Sequence, residues 1–240
     1  MKSVQLRREL VESFEVYPYS IPAIKHLTAL ELHPCVTFFV GENGTGKSTL
    51  LEAIAVAEGF NPEGGSRHAM FATRPTHDES LPRKLQLGKS KIPRGDSFFL
   101  RAESFYNLSS YVDQLGFPPD KNPYGPVPLH QQSHGEAFLT LMLQRFTGNG
   151  LYLFDEPEAA LSPQRQLTFL AGLHELVKRG GQLIIATHSP IIMAYPDSLI
   201  LHFTASGIAP IAYEETEHFK VTRAFLNRRE LMLKELMEGD

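Results

Sequence analysis

Five short apolar runs punctuate the chain, each with the length of a buried β-strand and with polar or turn-forming residues at its ends. Near-continuous apolar runs are typical of strands that are covered on both faces of a parallel sheet. The five runs are 36–40, 97–102, 151–155, 182–187 and 198–203.

Two segments between these runs have the spacing of amphipathic helices. Residues 48–60 place four apolar side chains on one face, and residues 163–180 have Pro163 in the first turn and Gly180 after the last. The four side chains are Leu50, Leu51, Ile54 and Ala55. Strands that alternate with helices predict an α/β fold with a mostly parallel central sheet.

Two stretches lack this regularity. Residues 61–97 are rich in Gly, Pro, Ser and Arg, and the Pro-rich residues 116–130 are predicted to be a loop. The first stretch contains Arg67 and Arg74. It is either a solvated loop or a contact for a protein partner, nucleic acid or a nucleotide phosphate.

Residues 216–238 have many charges and helical spacing, with Phe219, Leu226 and Leu233 on one side. We predict one amphipathic helix. Its apolar face either docks on the core of the same domain, which is the interpretation we favour, or forms a dimer contact.

Composition limits the classes of protein. The 240 residues are 42% hydrophobic, which is enough for one large α/β domain with a helical lobe. The formal charge of −4 argues against a protein that coats nucleic acid, although a local basic patch stays open. Cys35 is the single cysteine, which excludes an intrachain disulfide and a cysteine-rich metal site.

The first ten residues lack the apolar segment of a secretory signal peptide. No window approaches the ~18 uninterrupted apolar residues of a membrane-spanning helix. We therefore expect a soluble, cytoplasmic protein with no transmembrane segment of its own.

Residues 41–48, GENGTGKS, follow the first apolar run and precede the first helix, which is the context in which G-x-x-x-x-G-K-[ST] binds phosphate. Gly41, Gly44 and Gly46 let the backbone turn its N–H groups toward phosphate oxygens. Lys47 would reach the β- and γ-phosphates, and Ser48 would ligate Mg²⁺. We assign three neighbours to the same nucleotide site, namely Asn43, Thr45 and Thr49. The alternative is a plain Gly-rich turn.

Residues 151–158, LYLFDEPE, end an apolar run in two acidic residues. Asp155 would hold Mg²⁺ through its water shell, and Glu156 would accept a proton from the attacking water. The alternative is an acidic strand end that only caps a helix.

Residues 184–190, IIATHSP, end another apolar run near His188. A lone histidine is usually a satisfied surface or core residue, but the carboxyl ends of strands are where α/β sheets place ligand crevices. We favour His188 as a sensor of the γ-phosphate, flanked by Thr187 and Ser189 as hydrogen-bond partners.

Residues 133–136, Ser-His-Gly-Glu, stand directly before an apolar segment. By residue type this is a capping box, with Ser133 as the N-cap and Glu136 reaching back. The other hypothesis is that this helix start receives a phosphate from outside, because a helix N-terminus binds anions.

Taken in their order, these four motifs resemble those of the ABC-type ATPases, over most of the chain to about residue 203. Residues 41–48 resemble the Walker A element and residues 151–158 resemble Walker B. His188 is similar to the switch histidine, and residues 133–136 resemble the ABC signature.

The resemblance implies one ATPase domain over 1–240, with a helical and irregular lobe inserted at about 61–140. It implies an ABC-type P-loop NTPase head, with a mostly parallel sheet flanked by helices, a small helical lobe and an N-terminal antiparallel β element. It also implies ATP and Mg²⁺. The metal-binding candidates are Ser48, Asp155 and Glu103.

In this family the signature of one subunit caps the γ-phosphate that the P-loop of another subunit holds. The resemblance therefore implies a homodimer joined through ATP, with Ser133, Gly135 and Glu136 in the signature of each subunit. The capping box is compatible with this role, since one helix start can serve both.

Other elements follow from the same resemblance. Residues 158–163, EAALSP, look like the D-loop, with Ser162 where the family often has Asp. Glu103, close to Arg101, occupies the place of the Q-loop glutamine. Tyr17 or Tyr19 lies where an aromatic residue that stacks on adenine is expected, and a packed surface tyrosine is the alternative.

The Ser-His-Gly-Glu signature is more similar to soluble relatives, in the RecF and structural-maintenance-of-chromosomes group and the AAA-21 type, than to transporter subunits. No heptad run interrupts residues 49–132, so no coiled-coil arm is expected. The leading prediction is a soluble ATPase that dimerises with ATP. The alternatives are the nucleotide-binding subunit of a membrane transporter and the ATPase component of a DNA-repair or defence complex with a separate protein partner.

Overall fold

The computed structural model describes residues 1–69, 80–89 and 95–238. The strands are β1 (Ser3–Leu6), β2 (Ala29–Glu31), β3 (Val36–Val40), β4 (Leu85–Gly88), β5 (Ser97–Arg101), β6 (Leu151–Asp155), β7 (Gln182–Ala186), β8 (Leu199–Thr204) and β9 (Gly207–Pro210). The helices are α1 (Pro22–Lys25), α2 (Lys47–Ala57), α3 (Ser80–Lys84), α4 (Phe105–Gln114), α5 (His134–Arg145), α6 (Pro163–Lys178), α7 (Glu217–Asn227) and α8 (Arg229–Glu238).

Within the described residues, six strands form the central sheet in the order β5-β6-β7-β3-β8-β9. Every neighbouring pair is parallel except β8 and β9, which pair antiparallel. The five apolar runs are β3, β5, β6, β7 and β8, so the predicted mostly parallel α/β sheet is confirmed.

The central sheet is buried on both faces, which explains its near-continuous apolar runs. Successive side chains of β3 point to opposite faces. Phe38 belongs to the core that contains Phe138 of α5 and Phe169 of α6. Phe39 belongs to the core on the other face, with Leu50 of α2.

A separate antiparallel sheet has the order β2-β1-β4 within the described residues. Its apolar side chains, such as Val4 and Leu85, share a core with Leu50 of α2. The expected N-terminal antiparallel element is therefore confirmed. Its third strand was not predicted, because β4 and the preceding α3 lie in the stretch 61–97, where no periodicity marks them.

The C-terminal segment is not the single docked helix that we predicted. Arg228 separates α7 from α8 because its φ of −133° and ψ of 33° lie outside the helical region. Neither helix has a buried residue, and Leu226 is 72% exposed. Near the start of α7, the rings of Phe219 and Tyr213 lie 4.7 Å apart. The dimer contact stays a prediction.

The helical lobe consists of α4, α5 and the loop between them. Phe105 and Phe138 join the two helices, with ring centroids 5.5 Å apart. The carboxylate of Asp113 accepts hydrogen bonds of 3.2 Å from the backbone N–H groups of Leu129 and His130, which ties the loop to α4. Among the helices in the described part of the chain, none combines the length and apolar character needed to span a membrane.

Candidate functional site

The glycine-rich loop between β3 and α2 has the backbone of a phosphate cradle. Gly41, Gly44 and Gly46 all have positive φ, at 141°, 79° and 100°. At Gly46 an added Cβ would lie 2.7 Å from Cγ2 of Ile21, so a side chain is excluded by space as well as by conformation. The loop can therefore present its N–H groups and the start of α2 to an anion.

Lys47 is buried beneath this loop, with 4% of its surface exposed. Its Nζ donates hydrogen bonds of 2.8 Å to the backbone carbonyls of Gly41 and Glu42. Burial lowers the pKa of Lys47, and the nearby carboxylates of Glu156 and Asp155 oppose that shift. Two hydrogen bonds therefore hold the ammonium against the backbone of the loop.

The hydroxyl of Ser48 and the carboxylate of Asp155 meet across 107 residues, with Ser48 Oγ donating to Oδ1 at 2.7 Å. Arg101 approaches the other oxygen, with its Nε 3.3 Å from Oδ2, and Arg101 also pairs with Glu52. Burial raises the pKa of Asp155, whereas the Arg101 charge lowers it. The pairing of β5 with β6 explains why Arg101 meets Asp155, because the two residues are partners at the carboxyl ends of these strands.

This donor set fits Mg²⁺. Oxygen ligands from a hydroxyl and a carboxylate are what this cation prefers, with waters completing its shell. Ser48 and Asp155 both line a cavity of about 230 Å³. Glu103 also lines it, but the carboxylate of Glu103 is exposed and lies 3.6 Å from Arg101. Ser48 and Asp155 are therefore the better-placed ligands.

Glu156 leaves β6 in a left-handed conformation, with φ 50° and ψ 53°. Such backbone is strained for a residue with a side chain and is held here by a 2.9 Å hydrogen bond from its N–H to the carbonyl of Ala186. The turn directs Glu156 into the same cavity as Asp155. Sequence motifs do not reveal this conformation.

His188 follows β7, the neighbour of β6, and its Nε2 lies 3.8 Å from Oε1 of Glu156. That Nε2 is buried and has no hydrogen-bond partner among the described residues. Burial lowers the pKa of His188 to about 4, with the charges of Lys47 and His218 as further causes. Glu158 holds the turn by accepting from the backbone N–H of His188 at 2.5 Å and from the hydroxyl of Thr187 at 2.8 Å.

Comparisons with known proteins agree with this geometry. A family model described as "AAA domain, putative AbiEii toxin, Type IV TA system" matches residues 120–194, and another described as "AAA domain" matches residues 14–91. The structure is similar to the SMC head domain from Thermotoga maritima, with a TM-score of 0.51 and 16% identity, over 88% of this chain and 98% of that one. This likeness concerns the fold.

Two curated relatives match at the level of sequence. The "ABC transporter G family member STR2" of Medicago truncatula is 25% identical over 173 residues, which is 65% of this chain and 24% of the relative. The "Macrolide export ATP-binding/permease protein MacB" of Chlorobium luteolum is 26% identical over 218 residues, or 80% and 31%. The chain therefore spans about a quarter to a third of the length of these relatives.

The chain resembles the P-loop ABC-type ATPases. The match to the AAA-domain models agrees with the AAA-21 type that the sequence motifs indicated, and the likeness to the SMC head is one of fold. The expected fold class, an ABC-type P-loop NTPase head, is confirmed.

The signature-like segment begins α5. The backbone N–H of Ser133 donates to Oε2 of Glu136 at 3.0 Å, which belongs to a capping box. Arg165 of α6 braces this start by donating to Ser133 Oγ at 3.1 Å and to Glu136 Oε1 at 2.9 Å. Ser133 and Glu136 are exposed and Gly135 is buried. The helix start is thus well formed and open to the surface.

The segment that resembles the D-loop, residues 158–163, overlaps a 3-10 turn, Pro157–Ala160, and includes Ser162, the N-cap of α6. Ser162 accepts a 3.4 Å hydrogen bond from the backbone N–H of Arg165. A serine at this position therefore has a structural use as a helix cap.

Tyr17 and Tyr19, the two candidates for stacking on adenine, differ in their exposure to solvent. The ring of Tyr19 is buried, its hydroxyl donates to Ser80 Oγ at 3.0 Å and Lys84 lies over its face at 4.8 Å. This packing agrees with the alternative of a packed tyrosine, and the adenine-stacking role of Tyr19 stays an untested prediction. Tyr17 is 66% exposed. It does not line the cavity beside the P-loop. That cavity of about 380 Å³ is lined by Pro22, Glu42, Asn43, Gly44, Thr45, His202, Phe203, Thr204, Ala205 and Glu217.

Three further candidate residues are Thr49, Arg67 and Arg74, of which Thr49 and Arg67 line neither cavity described above. Thr49 lies half-buried in the first turn of α2. Arg67 pairs with Glu58 at 2.9 Å and lies over the ring of Phe60, and a contact of this loop with a partner, nucleic acid or phosphate stays a prediction. Arg74 lies outside the described residues.

Three residues contact the site although the sequence motifs did not predict a role for them. Arg101 was noticed only as a neighbour of Glu103, although it pairs with Asp155. Glu158 has no role predicted from its motif, although it accepts hydrogen bonds from Thr187 and from the backbone of His188. His218, on α7, shares a hydrogen bond of 2.9 Å with Nδ1 of His188. It lies in none of the sequence motifs.

Proposed function

We propose that the chain is a soluble ABC-type ATPase that binds Mg²⁺-ATP, hydrolyses it to ADP and phosphate, and pairs with a second copy through the bound ATP. The observation that carries this proposal is the 2.7 Å hydrogen bond between Ser48 and Asp155. It brings the ends of the Walker A and Walker B elements to one point, beside Lys47 and Glu156. The matched relatives and family models support an ABC-type nucleotide-binding domain in general.

Lys47 and the P-loop backbone would hold the phosphates. An ammonium has three N–H donors, and the carbonyls of Gly41 and Glu42 accept from two of them, so a third can meet a phosphate oxygen. Ser48 and Asp155 would hold Mg²⁺, which when bound neutralises charge on the β- and γ-phosphate oxygens. Burial strengthens each of these charge interactions.

Glu156 would act as the general base. Its carboxylate takes the proton of a water whose oxygen bonds to the γ-phosphorus, while the bond from that phosphorus to the β–γ bridging oxygen breaks. His188 faces the same carboxylate at 3.8 Å and would donate from Nε2 to a γ-phosphate oxygen. The strained turn at Glu156 directs its carboxylate into the cavity that Asp155 also lines.

The second copy would supply the signature. The start of α5 is exposed, is capped and carries the partial positive charge of a helix N-terminus. On this proposal Ser133, Gly135 and Glu136 of one subunit close over the γ-phosphate held by the other. Residues 1–240 then form one ATPase domain, with the lobe at about 61–140 inserted in it.

Phosphate release from Mg²⁺-ATP tests the activity. We expect turnover by the wild type and none by Lys47→Ala, because the side chain that contacts the β- and γ-phosphates is lost. Lys178→Ala is the matched control, since Lys178 forms an exposed ion pair with Glu175 on α6 and should leave turnover unchanged. Wild-type turnover by a folded Lys47→Ala variant, or no ATP binding by the wild type in equilibrium dialysis, would refute the proposal.

A further inference from the structure

The proposed switch residue His188 has a partner from outside every motif. His218, the second residue of α7, lies with its Nε2 2.9 Å from Nδ1 of His188. The two rings are 5.0 Å apart and inclined at 60°. This is a hydrogen bond between two imidazoles, so one ring must donate and the other must accept.

The start of α7 is anchored beside His188. Thr216 is the N-cap of α7, is buried, and donates from its hydroxyl to the carbonyl of Tyr213 at 2.7 Å. The hydroxyl of Tyr213 donates to the carbonyl of Pro190 at 2.8 Å, two residues after His188. The ring of Phe219 packs on Tyr213. These contacts fix His218 relative to the turn that carries His188.

Several apolar side chains further along the C-terminal segment are exposed. Val221 and Leu226 of α7 are 54% and 72% exposed, and Leu231 and Leu236 of α8 are 52% and 74% exposed. The contacts of Thr216 and Phe219 therefore secure the turn of α7 that carries His218.

The surroundings of His188 select the direction of the imidazole hydrogen bond. Its Nε2 is buried without a hydrogen-bond partner among the described residues and faces Oε1 of Glu156 at 3.8 Å. An ionised carboxylate offers only lone pairs, so a lone pair on Nε2 would be repelled and an N–H is favoured. If Nε2 carries the proton of the neutral ring, Nδ1 is the acceptor and His218 is the donor.

We propose that His218 is a positioning residue that holds His188 in the tautomer with the proton on Nε2. That proton is then directed toward Glu156 and the γ-phosphate position, where His188 can donate it in a hydrogen bond. The proposal rests on the proposed function, because it gives His218 a role in the same hydrolysis. Burial keeps the pKa of His188 low, at about 4, so the ring is neutral near pH 7 and its tautomer matters.

The length of the side chain at position 218 provides a sharp test. The amide nitrogen of Gln lies as far from Cβ as Nε2 of His does, whereas the amide of Asn reaches only the place of Nδ1. His218→Ala and His218→Asn should lower kcat about 10–100-fold, the range seen when the partner that orients a functional histidine is removed. KM for ATP should stay nearly constant. His218→Gln should recover most of the loss.

His174→Ala is the matched control. His174 on α6 also forms a side-chain hydrogen bond, of 2.9 Å to the hydroxyl of Tyr195, and it lies outside the cavities that border the P-loop and Asp155. This variant should keep the wild-type kcat. If it loses as much activity as His218→Ala, or if His218→Asn matches His218→Gln, the positioning role is refuted. Should His218→Ala not fold, the Asn and Gln pair decides the question.

A spectroscopic measurement separates this inference from the proposed function. Long-range ¹H–¹⁵N NMR of the imidazoles should find the His188 proton on Nε2 in the wild type and distributed over both nitrogens in His218→Asn. A proton on Nδ1 in the wild type would overturn the inference even if ATP is hydrolysed. A wild type that does not hydrolyse ATP but holds the Nε2–H tautomer would refute the proposed function and leave the His218–His188 contact supported.

Discussion

Arg165 joins the starts of two helices, because its guanidinium donates to the hydroxyl of Ser133 at 3.1 Å and to the carboxylate of Glu136 at 2.9 Å. The contact braces the signature of α5 against α6, next to the segment that resembles the D-loop. Hydrogen bonds to the Ser133 side chain and backbone and the Arg165 charge lower the pKa of Glu136, which keeps this carboxylate ionised. The helix start is thus held by hydrogen bonds within its own subunit.

Mixing two inactive variants tests whether this helix start acts in trans. Lys47→Ala and Ser133→Arg should each be inactive as homodimers, because both composite sites of each carry a lesion. In a heterodimer both lesions fall in one site and the other is intact. We therefore expect phosphate release to return in part on mixing, and its absence would contradict the composite site.

Ser133→Ala separates the two uses of the helix start. Loss of an N-cap costs about 0.5–2 kcal/mol of stability. If Ser133 only caps α5, this variant should have a lower melting temperature with unchanged ATP turnover and dimerisation. If Ser133 also contacts phosphate, both turnover and ATP-dependent dimerisation should fall, as measured by phosphate release and light scattering.

Gly135→Ala should destabilise the same helix start. An added Cβ would lie 2.6 Å from the carbonyl oxygen of Ala160 and 2.8 Å from the guanidinium of Arg165, and the backbone carbonyl cannot move aside easily. Overpacking of this kind costs about 1–3 kcal/mol, measured by urea denaturation. Gly95→Ala is the control, because among the described residues its Cβ would meet the carbonyl of Asn149 at an ordinary 3.9 Å. Equal stability of the two variants would contradict the close packing.

Glu156→Gln should separate ATP binding from hydrolysis. The amide keeps the shape of the side chain but cannot take a proton, so we expect turnover to fall about 10²–10⁴-fold. ATP binding should persist, and the variant should accumulate as an ATP-bound dimer on size-exclusion chromatography. Glu214→Gln, on an exposed turn, is the control. Wild-type turnover by Glu156→Gln would show that another group is the base.

The low pKa of His188 predicts a dependence of stability on pH. In the folded protein the ring stays neutral down to about pH 4, because it is buried beside Lys47 and His218. In the unfolded chain it binds a proton below about pH 6.5. The unfolded state is therefore favoured progressively as the pH falls through this window, while above it the full stability is present.

The measurement is the free energy of unfolding at the two ends of that window. His188→Gln removes the titrating ring, so it should lose less stability than the wild type between about pH 7.5 and pH 5. The difference between the two proteins then reports the effect of replacing His188. Equal losses would contradict the low pKa.

Local patterns in the sequence were enough for the elements and the central chemistry. The apolar run before Gly41 and the helix after Lys47 mark a strand–loop–helix unit, and the run before Asp155 marks another. Each pattern reports a conformation set by residues that are neighbours in the chain, so the P-loop, the acidic strand end and the parallel α/β fold could be predicted without a structure.

The remaining features depend on contacts between distant parts of the chain. Neither the pairing of β4 with β1, the burial of Tyr19 nor the break at Arg228 leaves a periodic signal. The order β5-β6-β7-β3 brings the carboxyl ends of those strands together, and this alone joins Arg101 to Asp155 and Glu156 to His188. The sequence by itself determined which groups are available for phosphate chemistry. Only tertiary packing decided which of these groups meet, because strand order is set by the whole core. The docking of α7, which brings His218 to His188, was decided in the same way.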